Sequence, residues 1–325
     1  MRLLICTQAV DAGSPTLGFF VRWLEEFAKY AERVDVICLT KGKYSLPANV
    51  YVHSLGKESG ASRLKYIVTF YRYAWFLRKE YDIVFAHMNP EYVVLGGLLW
   101  RVFGKRIALW YTHKSVDLKL RLAELLSHVI FTASRKSFRL ASSKVRIVGH
   151  GIDVDFFSPG NGVRRESAVL SVGRLDISKR HDLVIRAAEH FSNEIWIVGS
   201  GPERKRLEQL ADDLSVERRV RFLGPQSQEQ LRETYRHAGV FVHMSETGSL
   251  DKVVLEALAC GLPVVTTSTA LAELPVLSVA PDPESIAGGI FEESHVDPAV
   301  LVAYVREHHS LERLIPAIVD VMLHL

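Results

Sequence analysis

Ser245-Glu246-Thr247-Gly248-Ser249-Leu250-Asp251-Lys252-Val253-Val254-Leu255-Glu256, running on through Ala257-Leu258-Ala259-Cys260-Gly261-Leu262-Pro263-Val264-Val265, is the stretch whose reading decides the fold. The apolar run before it, residues 238–244, has the length and composition of a buried strand. A helix is expected to begin at Leu250 or Asp251 and to stop at Gly261, because Gly-Leu-Pro ends a helix and opens the next strand. A polar, glycine-containing loop thus joins a strand end to a helix N-terminus. Backbone N–H groups without helical partners, at the positive end of a helix dipole, attract anions and phosphate above all.

The same alternation extends outward in both directions. In the first half, strands are expected at 3–7, 34–39, 50–54, 83–87, 107–111, 129–132 and 145–148, with helical patterns at 18–31, 63–80 and 92–103. In the second half, strands are expected at 169–172, 195–198, 220–223, 240–243, 264–267 and 276–279. Helices there are expected at 180–190, 202–213, 228–238, 251–260, 283–292, 298–308 and 311–323. Repeated βα units imply parallel sheets with helices on both faces. The turn Ser158-Pro159-Gly160-Asn161-Gly162 reads as a linker. The expectation is an α/β protein of two Rossmann-like, doubly wound domains facing a cleft, residues 1–158 and 163–325, the last helix packing back on the first domain.

Composition narrows the classes. The chain has 325 residues, 48% hydrophobic and 24% charged, which suits a cored globular protein and argues against disorder. Residues 1–150 carry 23 Lys and Arg against 11 Asp and Glu, a balance of +12, while the rest carries 17 against 26, a balance of −9. The first half is therefore expected to face something anionic, with a solvated basic surface as the plainer reading. No nucleic-acid recognition motif accompanies that charge, so nucleic acid is not expected as a partner. No apolar run reaches the length of a membrane span, and residues 1–6 lack the apolar core of a signal peptide. Cys6, Cys38 and Cys260 sit in apolar settings without metal spacing, as in a reduced, cytoplasmic protein.

Chemistry concentrates at predicted strand ends in the second half. Gly173 allows a tight exit from its strand, and Arg174 and Lys179 then bring a bidentate and a point cation to the loop, with Ser178 as a helix cap. Gly199-Ser200-Gly201-Pro202 is a glycine-rich turn with Pro opening a helix. Each feature alone is weak, but all three loops fall at one sheet edge in this topology. Neither half has Gly-x-Gly-x-x-Gly after its first strand, which counts against a dinucleotide-dependent dehydrogenase. No Gly-x-Ser-x-Gly elbow and no ligand-spaced His or carboxylate cluster is present, so neither a metal nor a Ser nucleophile is expected.

Gly-Arg-Leu-x3-Lys, then Gly-Ser-Gly-Pro, Phe222-Leu223-Gly224 and 245–265 together resemble the retaining glycosyltransferases of family 4, which have the GT-B fold. That resemblance implies that Arg174 and Lys179 bind the donor diphosphate. Glu256 takes the place of the second Glu of the family's Glu-x7-Glu motif and is implied to bind ribose hydroxyls. Ser249-Leu250-Asp251 corresponds to the Gly-Phe-Gly-type loop whose N–H groups meet sugar and phosphate. Gly173, Gly199 and Gly201 line the same donor site, and Lys252 adds a cation there or is a solvated first-turn residue. The first motif Glu is replaced by Gly248, with Glu246 and Asp251 as substitutes only if the loop is rearranged.

In the first half, the loop 11–18, with Gly13, resembles the family's loop against the donor phosphates. His113 takes the place of a family His at the reaction centre, brought to the sugar when the cleft closes, while His87 is as readily structural. His150-Gly151-Ile152-Asp153 resembles the turn into the linker. Residues 62–79 are basic, aromatic and amphipathic, suited to an anionic membrane surface or a lipid-linked acceptor, or else to a core-packing helix with cations outside. The reading is a metal-independent glycosyltransferase without a cofactor, moving sugar from a nucleoside-diphosphate-sugar to a glycan or lipid-linked glycan with retention. Its expected place is the cytoplasm or the inner membrane face. A non-catalytic nucleotide-sugar-binding subunit and a nucleotide-sugar epimerase are the rival readings.

Overall fold

The computed structural model describes every residue except Pro15, Lys114, Asn161, Val163, Arg164, Thr247, Ser294 and His295. Thr247 of the opening loop and Val163, the expected first residue of the second domain, therefore lie outside the described residues. The chain divides into two compact units, Met1–Gly151 with Leu311–Leu325, and Ile152–Ser310.

The first unit is built on a seven-stranded parallel sheet of β1 (Arg2–Val10), β2 (Arg33–Lys41), β3 (Val50–Ser54), β4 (Ile83–His87), β5 (Arg106–Trp110), β6 (Val129–Thr132) and β7 (Val145–Ile147). Their spatial order is β3-β2-β1-β4-β5-β6-β7. Runs such as Leu3-Leu4-Ile5-Cys6 and Ile83-Val84-Phe85-Ala86 are buried on both faces, as parallel strands covered by helices must be. The covering helices are α1 (Phe19–Ala28), α2 (Arg63–Phe76), α3 (Pro90–Val102) and α4 (Leu118–Leu126).

The second unit has a six-stranded parallel sheet of β8 (Val169–Val172), β9 (Ile195–Val198), β10 (Val220–Gly224), β11 (Val240–His243), β12 (Val264–Thr266) and β13 (Leu277–Ser278), ordered β10-β9-β8-β11-β12-β13. Its helices are α5 (His181–Ala187), α6 (Arg204–Asp213), α7 (Gln228–His237), α8 (Lys252–Ala259), α9 (Pro283–Glu293) and α10 (Pro298–His309). The chain then returns to the first unit as α11 (Leu311–Leu323), which packs against α1.

Two local outcomes differ from the sequence expectation. α4 was not foreseen: its leucines give only a modest apolar stripe, and its start is marked by Asp117, whose Oδ1 accepts from the Leu120 N–H at 2.8 Å. α2 ends at Phe76, and its outward face carries large apolar side chains among the exposed cations Arg63, Lys65 and Arg72. Phe70 and Ala74 are buried, whereas Leu64 (72% exposed), Val68, Tyr71, Trp75 and Phe76 face out.

Candidate functional site

Strand order reverses beside β8, which has β9 on one side and β11 on the other, so the crevice beyond the carboxyl ends of β8 and β11 is a topological switch point, where open α/β sheets bind ligands. Three loops meet there. The Gly173 N–H donates to Val198 O (3.0 Å), the Leu175 N–H to Ser200 O (3.0 Å) and the Gly199 N–H to Gly224 O (2.9 Å), locking the turns after β8 and β9 backbone to backbone. A Cβ at Gly199 would stand 1.9 Å from Gly173 O, so only glycine permits that approach. The Glu246 N–H donates to Ser178 O (2.9 Å), joining the loop after β11 to the loop after β8.

At this junction Lys179 and Asp251 form an ion pair, and Lys179 Nζ is also 3.3 Å from Ser245 Oγ. The same Asp251 Oδ2 lies 3.0 Å from His243 Nε2, and Ser249 Oγ donates to Oδ1 at 3.1 Å. Thr266 Oγ1 donates to the His243 carbonyl (2.7 Å), accepts from the Ser268 N–H (3.0 Å) and stands 3.3 Å from His243 Nδ1. Burial pushes the Asp251 carboxyl upward, but His243 and Lys179 outweigh burial and hold it well below the usual carboxylate range. Asp251 is the N-cap residue of α8, yet its side chain makes no cap hydrogen bond; the carboxylate is turned to Lys179 and His243 instead.

The other expected donor residues fall around this cluster. Arg174 is 73% exposed, its Nε 3.9 Å from Asp176 Oδ2, so its guanidinium is open to a ligand. Leu250 is buried. Lys252 reaches forward along α8 to Glu256, with Nζ 2.6 Å from Oε1, and Tyr235 OH is 3.3 Å from Glu256 Oε2. Gly248 has φ +65°, a left-handed conformation. Glu246 is held by Arg180 (2.6 Å). Beside the loop is a cavity of about 280 Å³ lined by Ser245, Glu246, Gly248, Thr267, Ser268 and Thr269.

Sequence reasoning missed His243, Ser245 and Thr266. Their one signal was position, at the ends of two adjacent strands. It also missed His181, which is buried at the start of α5 with Nδ1 2.8 Å from Ser171 Oγ, its imidazole pushed down to about 4 by burial.

In the first unit the switch point lies between β1 and β4, where Gln8 Nε2 donates to Asn89 Oδ1 at 3.0 Å. A cavity of about 400 Å³ there is lined by Gln8, Asn89, Glu91, Tyr111, His113 and Asp117 among others, a set suited to hydroxyl groups. His113 is exposed, its Nδ1 accepting from the Ser115 N–H at 3.1 Å. His87 is buried, its ring stacked on Phe20 at 4.0 Å between centroids. Gly13 lies in the loop after β1, its N–H donating to Asp11 Oδ1 at 3.1 Å. Among the described residues no group of three or more His, Cys, Asp and Glu is arranged to hold a metal.

Residues 155–273 match the family described as glycosyl transferases group 1, and residues 11–144 match glycosyl transferase 4-like. The D-inositol 3-phosphate glycosyltransferase of Mycobacteroides abscessus is 37% identical over 149 residues, covering 41% of this chain and 33% of that protein. The chain thus matches about a third of the length of this relative. Among solved structures, Anabaena Alr3699/HepE in complex with UDP aligns over 100% of both chains with a TM-score of 0.77 and 18% identity, and it has also been solved with UDP-glucose. Sucrose-phosphate synthase from Thermosynechococcus elongatus aligns over 99% of both chains with a TM-score of 0.76 and 19% identity. The two parallel-sheet α/β domains have the GT-B fold, and each carries a glycosyl transferase family match, 4-like in the first and group 1 in the second.

Proposed function

We propose that this glycosyltransferase moves a sugar from a nucleoside-diphosphate-sugar to a glycan or lipid-linked glycan, with retention at the anomeric carbon and without a metal. The observation that carries the reading is the meeting of Arg174, Lys179, the loop 245–251 and the α8 N-terminus at the switch point of the second sheet. Two cations and oriented N–H groups stabilise charge that develops on a departing diphosphate, the largest kind of term in such catalysis. A protein of the same fold solved with UDP-glucose supports a nucleotide-sugar donor. His113 keeps the role at the sugar that the family resemblance implies.

The acceptor side is proposed to meet an anionic membrane surface through α2 and α3. The outward stripe Leu64, Val68, Tyr71 and Trp75 adjoins Leu98 (70% exposed) and Val102 (82% exposed) on α3, with Tyr71 OH donating to Leu95 O at 2.8 Å. Residues 62–79 carry five Lys and Arg and no acid, which complements anionic headgroups.

The test is incubation of the purified protein with UDP-, GDP- and ADP-sugars, with and without a chelator, following release of nucleoside diphosphate while calorimetry reports binding. Release from one donor that persists with the chelator is the expected result. Binding without release, even with lipid extract added, favours the non-catalytic subunit that Gly248 suggests. Interconversion of the donor sugar without an acceptor favours an epimerase.

A further inference from the structure

Lys179 is the cation best placed at the mouth of the second sheet, yet it is already paired. Its partner, Asp251, is a carboxylate gripped from several directions: by the Lys179 ammonium, by His243 Nε2 at 3.0 Å and by Ser249 Oγ at 3.1 Å. Ser245 Oγ, 3.3 Å from Lys179 Nζ, completes the cluster. Both ends of the ion pair are largely out of solvent, the Lys179 side chain 19% and the Asp251 side chain 14% exposed. This is the set of donors a phosphate group would use, with a carboxylate standing in its place.

We propose that Asp251 is a resident counter-ion in the donor site, so that a diphosphate ligand and the Asp251 carboxylate compete for Lys179. The proposal rests on the donor reading above. An Asp at the N-cap ordinarily accepts from N–H groups of the first turn, but the Asp251 side chain makes no such bond here. When a diphosphate takes Lys179, the displaced carboxylate has the α8 N-terminus as its alternative partner. The pairing also satisfies a mostly buried ammonium, which would be costly to leave without a counter-charge. A ligand must therefore bring more negative charge than one carboxylate to prevail, which selects diphosphates over singly charged groups.

The test compares binding of inorganic pyrophosphate, UDP and uridine to the wild-type chain, Asp251→Asn and Lys179→Met by calorimetry. Asp251→Asn is expected to bind pyrophosphate and UDP at least ~10-fold more tightly, because a like charge near the ligand is removed. Uridine affinity should not change between wild type and Asp251→Asn. In Lys179→Met both phosphate ligands should weaken, and adding Asp251→Asn to it should recover less than Asp251→Asn gains alone. Equal or weaker pyrophosphate binding by Asp251→Asn overturns the proposal, including the case in which neither protein binds it. If Asp251→Asn does not fold, Asp251→Ser makes the same comparison with a smaller uncharged acceptor. UDP binding equally to wild type and variant keeps the donor reading and removes the counter-ion. Tighter pyrophosphate binding by the variant, with no UDP binding by either protein, keeps the counter-ion and removes the donor reading.

Discussion

Lys252 Nζ lies 2.6 Å from Glu256 Oε1, one turn further along α8, and Glu256 is 3% exposed. A cation four residues before a buried carboxylate is what keeps that carboxylate inside, since Tyr235 OH supplies only one further contact, at 3.3 Å. Lys252→Met is expected to cost about 3 kcal/mol of stability in urea unfolding, because it strands a buried charge. Lys252→Met with Glu256→Gln should recover most of that loss. An unchanged midpoint in the single variant would show Lys252 to be a surface residue in solution.

Arg174 should behave in the opposite way. Its side chain is 73% exposed, so Arg174→Ala should leave stability within about 0.5 kcal/mol. If it grips the leaving diphosphate, turnover should fall by roughly 10²–10³-fold, the scale of losing one preorganised charge donor. An unaltered rate in steady-state assays of nucleoside diphosphate release ends that assignment.

Gly248 stands where the family motif has a glutamate, and its φ of +65° gives a local reason. A residue with a Cβ pays steric strain in the left-handed region, so Gly248→Glu should lower stability by roughly 1–2 kcal/mol. Restoring the glutamate is therefore expected to lower the melting temperature and not to raise turnover. A stable Gly248→Glu with faster release would show that the loop relaxes to the family conformation.

The buried His181 sets a pH dependence. Burial lowers its imidazole to about 4, against about 6.5 when unfolded. Between those values the unfolded chain binds more protons, so stability rises with pH. The contribution is complete above about pH 6.5 and is lost as pH falls toward 4, on the order of 3 kcal/mol in all. His309, also lowered to about 4 by burial, adds with the same sign. Urea midpoints at pH 7.5 and 5.0 should differ less in His181→Gln than in wild type. Asp251 acts lower, its depressed carboxyl contributing stability that is complete above about pH 4 and lost as pH falls below that.

Trp75 and Phe76, exposed at 50% and 67%, give the membrane reading its own test. Co-sedimentation with vesicles containing about one-third anionic lipid should be strong at low salt and weaken at high salt. Trp75→Ser with Phe76→Ser should cut partitioning roughly tenfold, on the scale of ~0.8 kcal/mol per CH₂ group withdrawn from lipid. Equal sedimentation of wild type and variant removes this surface from the reading.

Sequence by itself determined the two parallel sheets. Buried parallel strands need near-continuous Val, Ile and Leu runs, and helices between them need a 3.6-residue apolar stripe; both are local patterns, visible at 83–87 or 240–243 without any partner. It also located the loops after β8, β9 and β11, because glycine and proline punctuate strand ends. Helix α4 escaped because its stripe is faint and its boundary rests on a single Asp117 cap. The direction each charged side chain takes was decided only by tertiary structure. Lys179 and Asp251 stand 72 residues apart and meet because β8 and β11 are neighbours in the sheet. His243 joins them from the end of one strand, and Thr266 supports it from the next. Pairing between charges depends on distances of a few ångströms, and those follow from strand order rather than from spacing along the chain.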